Sequence, residues 1–358
     1  MAARRGARRR RARPDGTDRG DGERAPVTTV DAHAHVLLPG IEQAVAGHPG
    51  HAAHRELDAR RNGPGAQAVS GAMIGERIGL LTRVADRLTA MDATGVDVQI
   101  VSPSPSHYHY WAGRELAADV CRLAAEGVAG HVAQAPGRLR GLGLAPLQHP
   151  DLLVTALDQA LGLGLEGVEI SSHAPGRDLS DPAYEPFWAR AAESGAVVFL
   201  HPFGCTLDER LDHWYLSNIV GQPVENAVAL SHLIFSGVLD RHPGLKLLAA
   251  HGGGYLPYYL GRADHGHRVR PDARGCARAP SDYLRELHFD SLTHDPAVLR
   301  ELVRVAGPER VLLGSDFPFD MGEPDPLAAL RAAGLGPTAF DAIRGGNAIR
   351  LFDLKDDR

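Results

Sequence analysis

The strongest constraint on this chain is an alternation. A short apolar, β-branched run followed by a longer stretch of helical character recurs eight times, the runs falling at 28–33, 97–102, 140–145, 167–172, 196–201, 245–251, 287–292 and 311–316. Segments between them, such as 116–128, 152–161 and 186–194, place apolar residues on one helical face. Repeated βα units imply a parallel sheet, and eight of them close a (β/α)8 TIM barrel. The roughly 330 residues from position 27 onward suit one such domain with insertions. No short internal period argues for a solenoid.

Two insertions are expected as long loops on the face where such barrels carry their chemistry. One spans 39–79, with eight glycines, and follows the first strand. The other spans 203–222 and follows the fifth. Ahead of the barrel, residues 1–26 are Arg-rich and lack apolar periodicity, which predicts a disordered extension. Through position 27 there are nine arginines against four acidic residues. The remainder therefore carries a net charge of −11 out of a total of −6, which argues against nucleic acid as a partner of the folded part. No run of eighteen apolar residues and no signal-peptide core occur, so no membrane span is expected and a cytoplasmic location is. Three widely spaced cysteines, Cys121, Cys205 and Cys276, fit reduced thiols rather than a disulfide frame or a zinc ribbon.

Chemistry-bearing residues recur at the C-terminal ends of the predicted strands. His33 and His35 stand two apart, so on a strand they face the same way. The other His-x-His pairs, His107/His109 and His265/His267, do not end such a run and are weaker candidates. His201 ends the fifth run, His251 the sixth and Asp316 the eighth. Together His33, His35, His201 and Asp316 form an N3O donor set suited to one Zn²⁺ with a position left for water. Lysine occurs only at positions 246 and 355, so chemistry that needs a lysine side chain has almost nowhere to reside. Glu169, on the fourth run, points inward and is expected to be structural.

These motifs, His-x-His, His201-Pro, His251-Gly-Gly-Gly and Gly-Ser-Asp316-x-Pro, resemble the amidohydrolase superfamily. Within it they resemble the branch of 2-amino-3-carboxymuconate 6-semialdehyde decarboxylase. The resemblance implies that His33, His35, His201 and Asp316 hold one divalent metal, most simply Zn²⁺, and that His251 acts as acid/base beside it, with Asp316 also catalytic. It further implies that Arg262 reaches across a homodimer into the neighbouring site and that Arg77, two residues from the register position Gly75, binds substrate carboxylate. Tyr215 and Asn218 take the places of the branch's tryptophans after strand 5. The expected activity is non-oxidative decarboxylation of a small unsaturated or aromatic carboxylic acid. A hydrolase or hydratase on the same barrel is the nearest rival, and a catalytically inactive binding protein a remote one.

Overall fold

The computed structural model describes residues 27–354. The Arg-rich segment 1–26 lies outside the described residues. Eight parallel strands surround the centre: β1 (Val30–Val36), β2 (Val98–Pro103), β3 (Leu139–Gly141, resuming at Gly143–Leu144), β4 (Gly167–Ile170), β5 (Val197–Leu200), β6 (Lys246–Ala249), β7 (His288–Asp290) and β8 (Val311–Leu312). All eight fall on the runs expected from sequence. A two-residue antiparallel ribbon, His173–Ala174 with Arg177–Asp178, lies outside the ring.

Regular pairing gives a three-stranded sheet, β1-β2-β3, and a six-stranded one running from β8 through β7, β6, β5 and β4 to β3. The ladder is not continuous around the ring. At one seam β3 breaks at Leu142, whose N–H still bonds Val101 O at 2.9 Å. At the other, a single bridge of Ala34 with Phe317 is reinforced by Ala32 N–H to Leu313 O at 2.8 Å and Asp316 N–H to His33 O at 2.9 Å.

Strand parity sorts the side chains into two cores. Val30, Ala32, Ile100, Leu142, Val197, Phe199, Leu248 and Leu312 pack together inside the ring, with Leu351 and Phe352 of the C-terminal helix beneath. Their alternate neighbours, among them Val198, Leu200, Leu247, Ala249 and Phe289, belong to the larger core under the helices. Because strands alternate faces, inward parity carries Glu169, His201, Asp290 and Asp316 to one end of the ring. β1 needs a further device. Val30 and Ala32 face inward, so unbroken alternation would turn His33 and His35 outward. A register shift between Asp31 and Ala34 changes the parity and aims both histidines at the centre.

The insertion after β1 corrects the expectation of a loop. It forms helices Pro39–Val45 and Pro49–Thr82, the second kinked at Gly63, which precedes Pro64 and has φ 73°. Glycine and proline act here as a joint within helical structure, since the alanines, arginines and glutamates around them favour helix. The insertion after β5 stays largely irregular, with short helical turns at Asp208–Leu211 and Ser217–Gly221. Among the described residues no helix is long and apolar enough to cross a membrane.

Candidate metal centre and active site

His33, His35, His201, His251 and Asp316 converge at the C-terminal end of the ring. His33 Nε2 lies 3.1 Å from His35 Nε2, and Asp316 Oδ1 lies 3.3 and 3.1 Å from those two nitrogens. The His201 ring sits 4.9 Å, centroid to centroid, from each of His33, His35 and His251. His251 Nε2 is 3.8 Å from Asp316 Oδ2. One donor atom from each of His33, His201, His251 and Asp316 falls within 4.8 Å of all the others.

The hydrogen bonds behind these rings decide what the front atoms can do. His33 Nδ1 faces Asp290 Oδ2 at 2.6 Å, and His35 Nδ1 faces Pro103 O at 3.3 Å. With the proton of each neutral ring on Nδ1, the two Nε2 lone pairs confront each other and the Asp316 carboxylate. A cation between them removes that conflict. Both nitrogens of His201, Nδ1 of His251 and Oδ1 of Asp316 are buried without a hydrogen-bond partner among the described residues, which is costly unless a ligand satisfies them. The donor set therefore fits a divalent metal.

The electrostatics agree. Burial opposes charge on His33, yet the Asp316 and Asp290 carboxylates outweigh it and raise this ring to about 10. Burial likewise opposes charge on Asp316, but the surrounding imidazoles hold it well below the usual carboxylate range. His201, pushed well below its ordinary value by burial and by neighbouring imidazoles, stays neutral. The site thus calls for positive charge at its centre, supplied by a proton on His33 or by a bound cation, and leaves the neutral His201 ring with a lone pair to donate.

Supporting groups hold the constellation. Asp290 orients His33 and also accepts from the N–H groups of His251 at 2.9 Å and Gly252 at 2.8 Å. Gly314 makes room for this pair: a Cβ there would stand 2.7 Å from that of Asp290 and 3.1 Å from that of His33. His251 itself has φ 55°, and Gly252, Gly253 and Gly254 continue in the left-handed region. A Cβ on Gly254 would lie 2.2 Å from Pro223 O, so this run needs glycine both for its backbone and for space. Beneath β1, fully buried Arg87 donates to Gln99 Oε1 at 2.5 Å and to the His35 carbonyl, while Gln99 and Ser315 donate to Asp31 at 2.8 and 2.6 Å.

Glu169 is buried, accepts from the Tyr108 hydroxyl and is raised to about 8 by burial. The nearest His35 nitrogen, Nδ1, is 3.8 Å away, on the side of that ring turned from the shared centre. Glu169 Oε2 is buried without a hydrogen-bond partner among the described residues.

A cavity of about 510 Å³ opens from His201 and Asp316 beneath the helix Pro49–Thr82. Tyr215 and Asn218 line it, as does Phe203, so the loop after β5 does form its wall. Arg77 does not reach it: its guanidinium donates to Pro318 O at 2.6 Å. Arg55 and Arg61, about two and about three turns after the helix start at Pro49, line the cavity instead. A helix in place of a loop accounts for this correction, because helical register, not proximity in sequence, decides which arginine faces inward. A second cavity of about 710 Å³ lies on the other side of Asp316, along His251, Tyr255 and Tyr258. Arg262, on the helix Leu260–Val269, is exposed and lines neither cavity.

The sequence profile described as amidohydrolase matches residues 30–354. The chain belongs to the amidohydrolase family. It is 34% identical over 276 residues to 2-amino-3-carboxymuconate-6-semialdehyde decarboxylase of Dictyostelium discoideum, covering 76% of this chain and 77% of that protein. The crystal structure of 5-carboxyvanillate decarboxylase from Sphingomonas paucimobilis superposes with a TM-score of 0.77 at 25% identity, over 92% of this chain and all of that one. Dihydroxybenzoic acid decarboxylase from Polaromonas sp. JS666, with manganese bound, gives a TM-score of 0.76 at 24% identity, over 92% of this chain and 98% of that one. The recognised motifs of the amidohydrolase family thus lie where the fold gathers them.

Asp290 and Arg61 escaped sequence reasoning. Asp290 was open to detection, because it ends β7 as His201 ends β5. Arg61 left no such trace, because the glycine-rich insertion obscures its helical phase.

Proposed function

We propose that this amidohydrolase is a metal-dependent, non-oxidative decarboxylase of a small aromatic or unsaturated carboxylic acid. One observation supports the metal dependence above others: His33 Nε2 and His35 Nε2 face each other and the Asp316 carboxylate, while both nitrogens of the adjoining His201 ring are buried without a partner among the described residues. The similarity to decarboxylases acting on different carboxylic acids supports the reaction class. His33, His35, His201 and Asp316 would hold the ion. With three imidazoles to one carboxylate, zinc suits the set. When bound, a divalent ion supplies Lewis-acid charge beside the substrate oxygens.

The side chains supply the rest. Arg61, from the roof of the 510 Å³ cavity, pairs with the substrate carboxylate that is retained or lost. The C–C bond to the departing carboxylate breaks, CO₂ leaves, and the electron pair stays on the substrate carbon. His251 delivers a proton to that carbon and regains one from water. Asp316 keeps His251 within reach of the reacting carbon through their 3.8 Å approach. Phe203 and Tyr215 restrict water at the ring face of the substrate.

The proposal includes a homodimer. Tyr255 and Tyr259 are 48% and 71% exposed just before Arg262. A second copy covering them would let Arg262 enter the neighbouring site.

The test is incubation of the metal-loaded protein with dihydroxybenzoates, carboxyvanillate and carboxymuconate semialdehydes, following CO₂ and product mass. Loss of CO₂ is expected. Gain of one water without CO₂ would replace decarboxylation by hydrolysis or hydration.

A further inference from the structure

A second group of metal-capable side chains stands in the wall of the same 510 Å³ cavity, apart from the ring of strand-end residues. Glu42, His107 and His109 each offer an atom within 4.8 Å of the other two. His109 is 3% exposed, yet neither of its ring nitrogens has a hydrogen-bond partner among the described residues. The His51 ring lies 5.6 Å from it, centroid to centroid. Trp111 holds the parts together, packing 5.4 Å from His109 and stacking at 6.3 Å with His51. The helix start fits against that indole only because position 50 is glycine, where a Cβ would fall 2.4 Å from Trp111 Cε3.

His107 cannot be a ligand in this cluster. Its Nε2 accepts the Leu38 N–H at 3.0 Å, which places the proton of the neutral ring on Nδ1. That proton faces Glu42 Oε1 at 3.2 Å. His107 is therefore an orienting group for the Glu42 carboxylate, the role that supporting residues commonly play behind metal ligands.

We propose that Glu42, His51 and His109 form a second metal site for an exchangeable divalent transition-metal ion such as Zn²⁺, completed by water. The site would tie the helices Pro39–Val45 and Pro49–Thr82 to the loop after β2. A carboxylate among imidazoles favours a cation over an anionic substrate group. The buried His109 ring, with both nitrogens unpartnered among the described residues, has a lone pair to donate.

The test is metal stoichiometry, by elemental analysis after dialysis of the full-length protein against micromolar zinc. Wild type is expected to hold two equivalents per chain. Glu42→Gln and His109→Asn should each hold one, and His201→Ala should keep the equivalent those variants lose. His107→Ala should weaken the second equivalent by about 10- to 100-fold. Glu42 is partly exposed, so Glu42→Gln tests the site without disturbing a packed core. A single equivalent in wild type, two equivalents persisting in either variant, or loss of both in Glu42→Gln would each overturn the proposal.

Discussion

The two cavities that meet at Asp316 differ in what builds their walls. The one beneath the helix Pro49–Thr82 is walled by the chain's own insertions and presents Arg55, Arg61, His51 and His54. The other, along His251, is walled by Tyr255, Tyr258, Ile219 and Val298, of which Tyr255 and Ile219 are about half exposed. Asp316 lines both, with His201 on the first side and His251 on the second. The first side thus carries charged groups from the chain's own insertions, whereas the second offers apolar surface that a neighbour could cover. Under the proposed function, the first cavity would bind substrate charge, the second would meet a neighbouring copy, and the residues between would break the bond.

The largest expected effect belongs to the shared centre. His201→Ala should remove the strand-end metal equivalent and turnover together, measured by elemental analysis and CO₂ release, because it deletes a ligand of the shared centre. Retained metal and activity would show that the centre is held elsewhere. His251→Asn should leave the metal in place while turnover falls about 10²- to 10⁴-fold. If it empties the site instead, His251 is a ligand, as its place among the four mutually close donors allows.

Arg61→Ala tests the polar cavity, removing a guanidinium that lines it and that also donates to Cys205 O at 3.2 Å. Loss of a charge-assisted pair should lower kcat/KM about 10- to 100-fold, mainly through KM. Arg77→Ala, which removes only a bond to Pro318 O, should change kcat/KM by less than about threefold. Equal losses in the two variants would erase the distinction between an arginine that lines the cavity and one that braces its rim.

The smallest signal tests the apolar side. Arg262→Ala chains mixed with His33→Ala chains should recover part of the activity that each lacks alone, and sedimentation should show a dimer. A fully active monomer would mean that the exposed tyrosines serve no assembly.

Strand positions and most strand-end chemistry were legible in the sequence because both obey local rules. An apolar run of four to six residues marks a buried parallel strand, and parity two carries His201 and Asp316 inward once the strand is placed. The helical insertion was misread because glycine and proline are local breakers. Here they form one joint, at Gly63, in a helix stabilised by what it covers.

What the sequence determined by itself was the number of βα units, the identity of the residues at their ends and the near absence of lysine. Tertiary structure alone decided the rest. The β1 bulge turns His33 and His35 inward against the parity of Val30 and Ala32. Asp290 fixes the tautomer of His33 from 257 positions away, and Arg61 rather than Arg77 faces the cavity. Each of these depends on contacts between segments distant in the chain, and local periodicity carries no information about which distant backbone a side chain will meet.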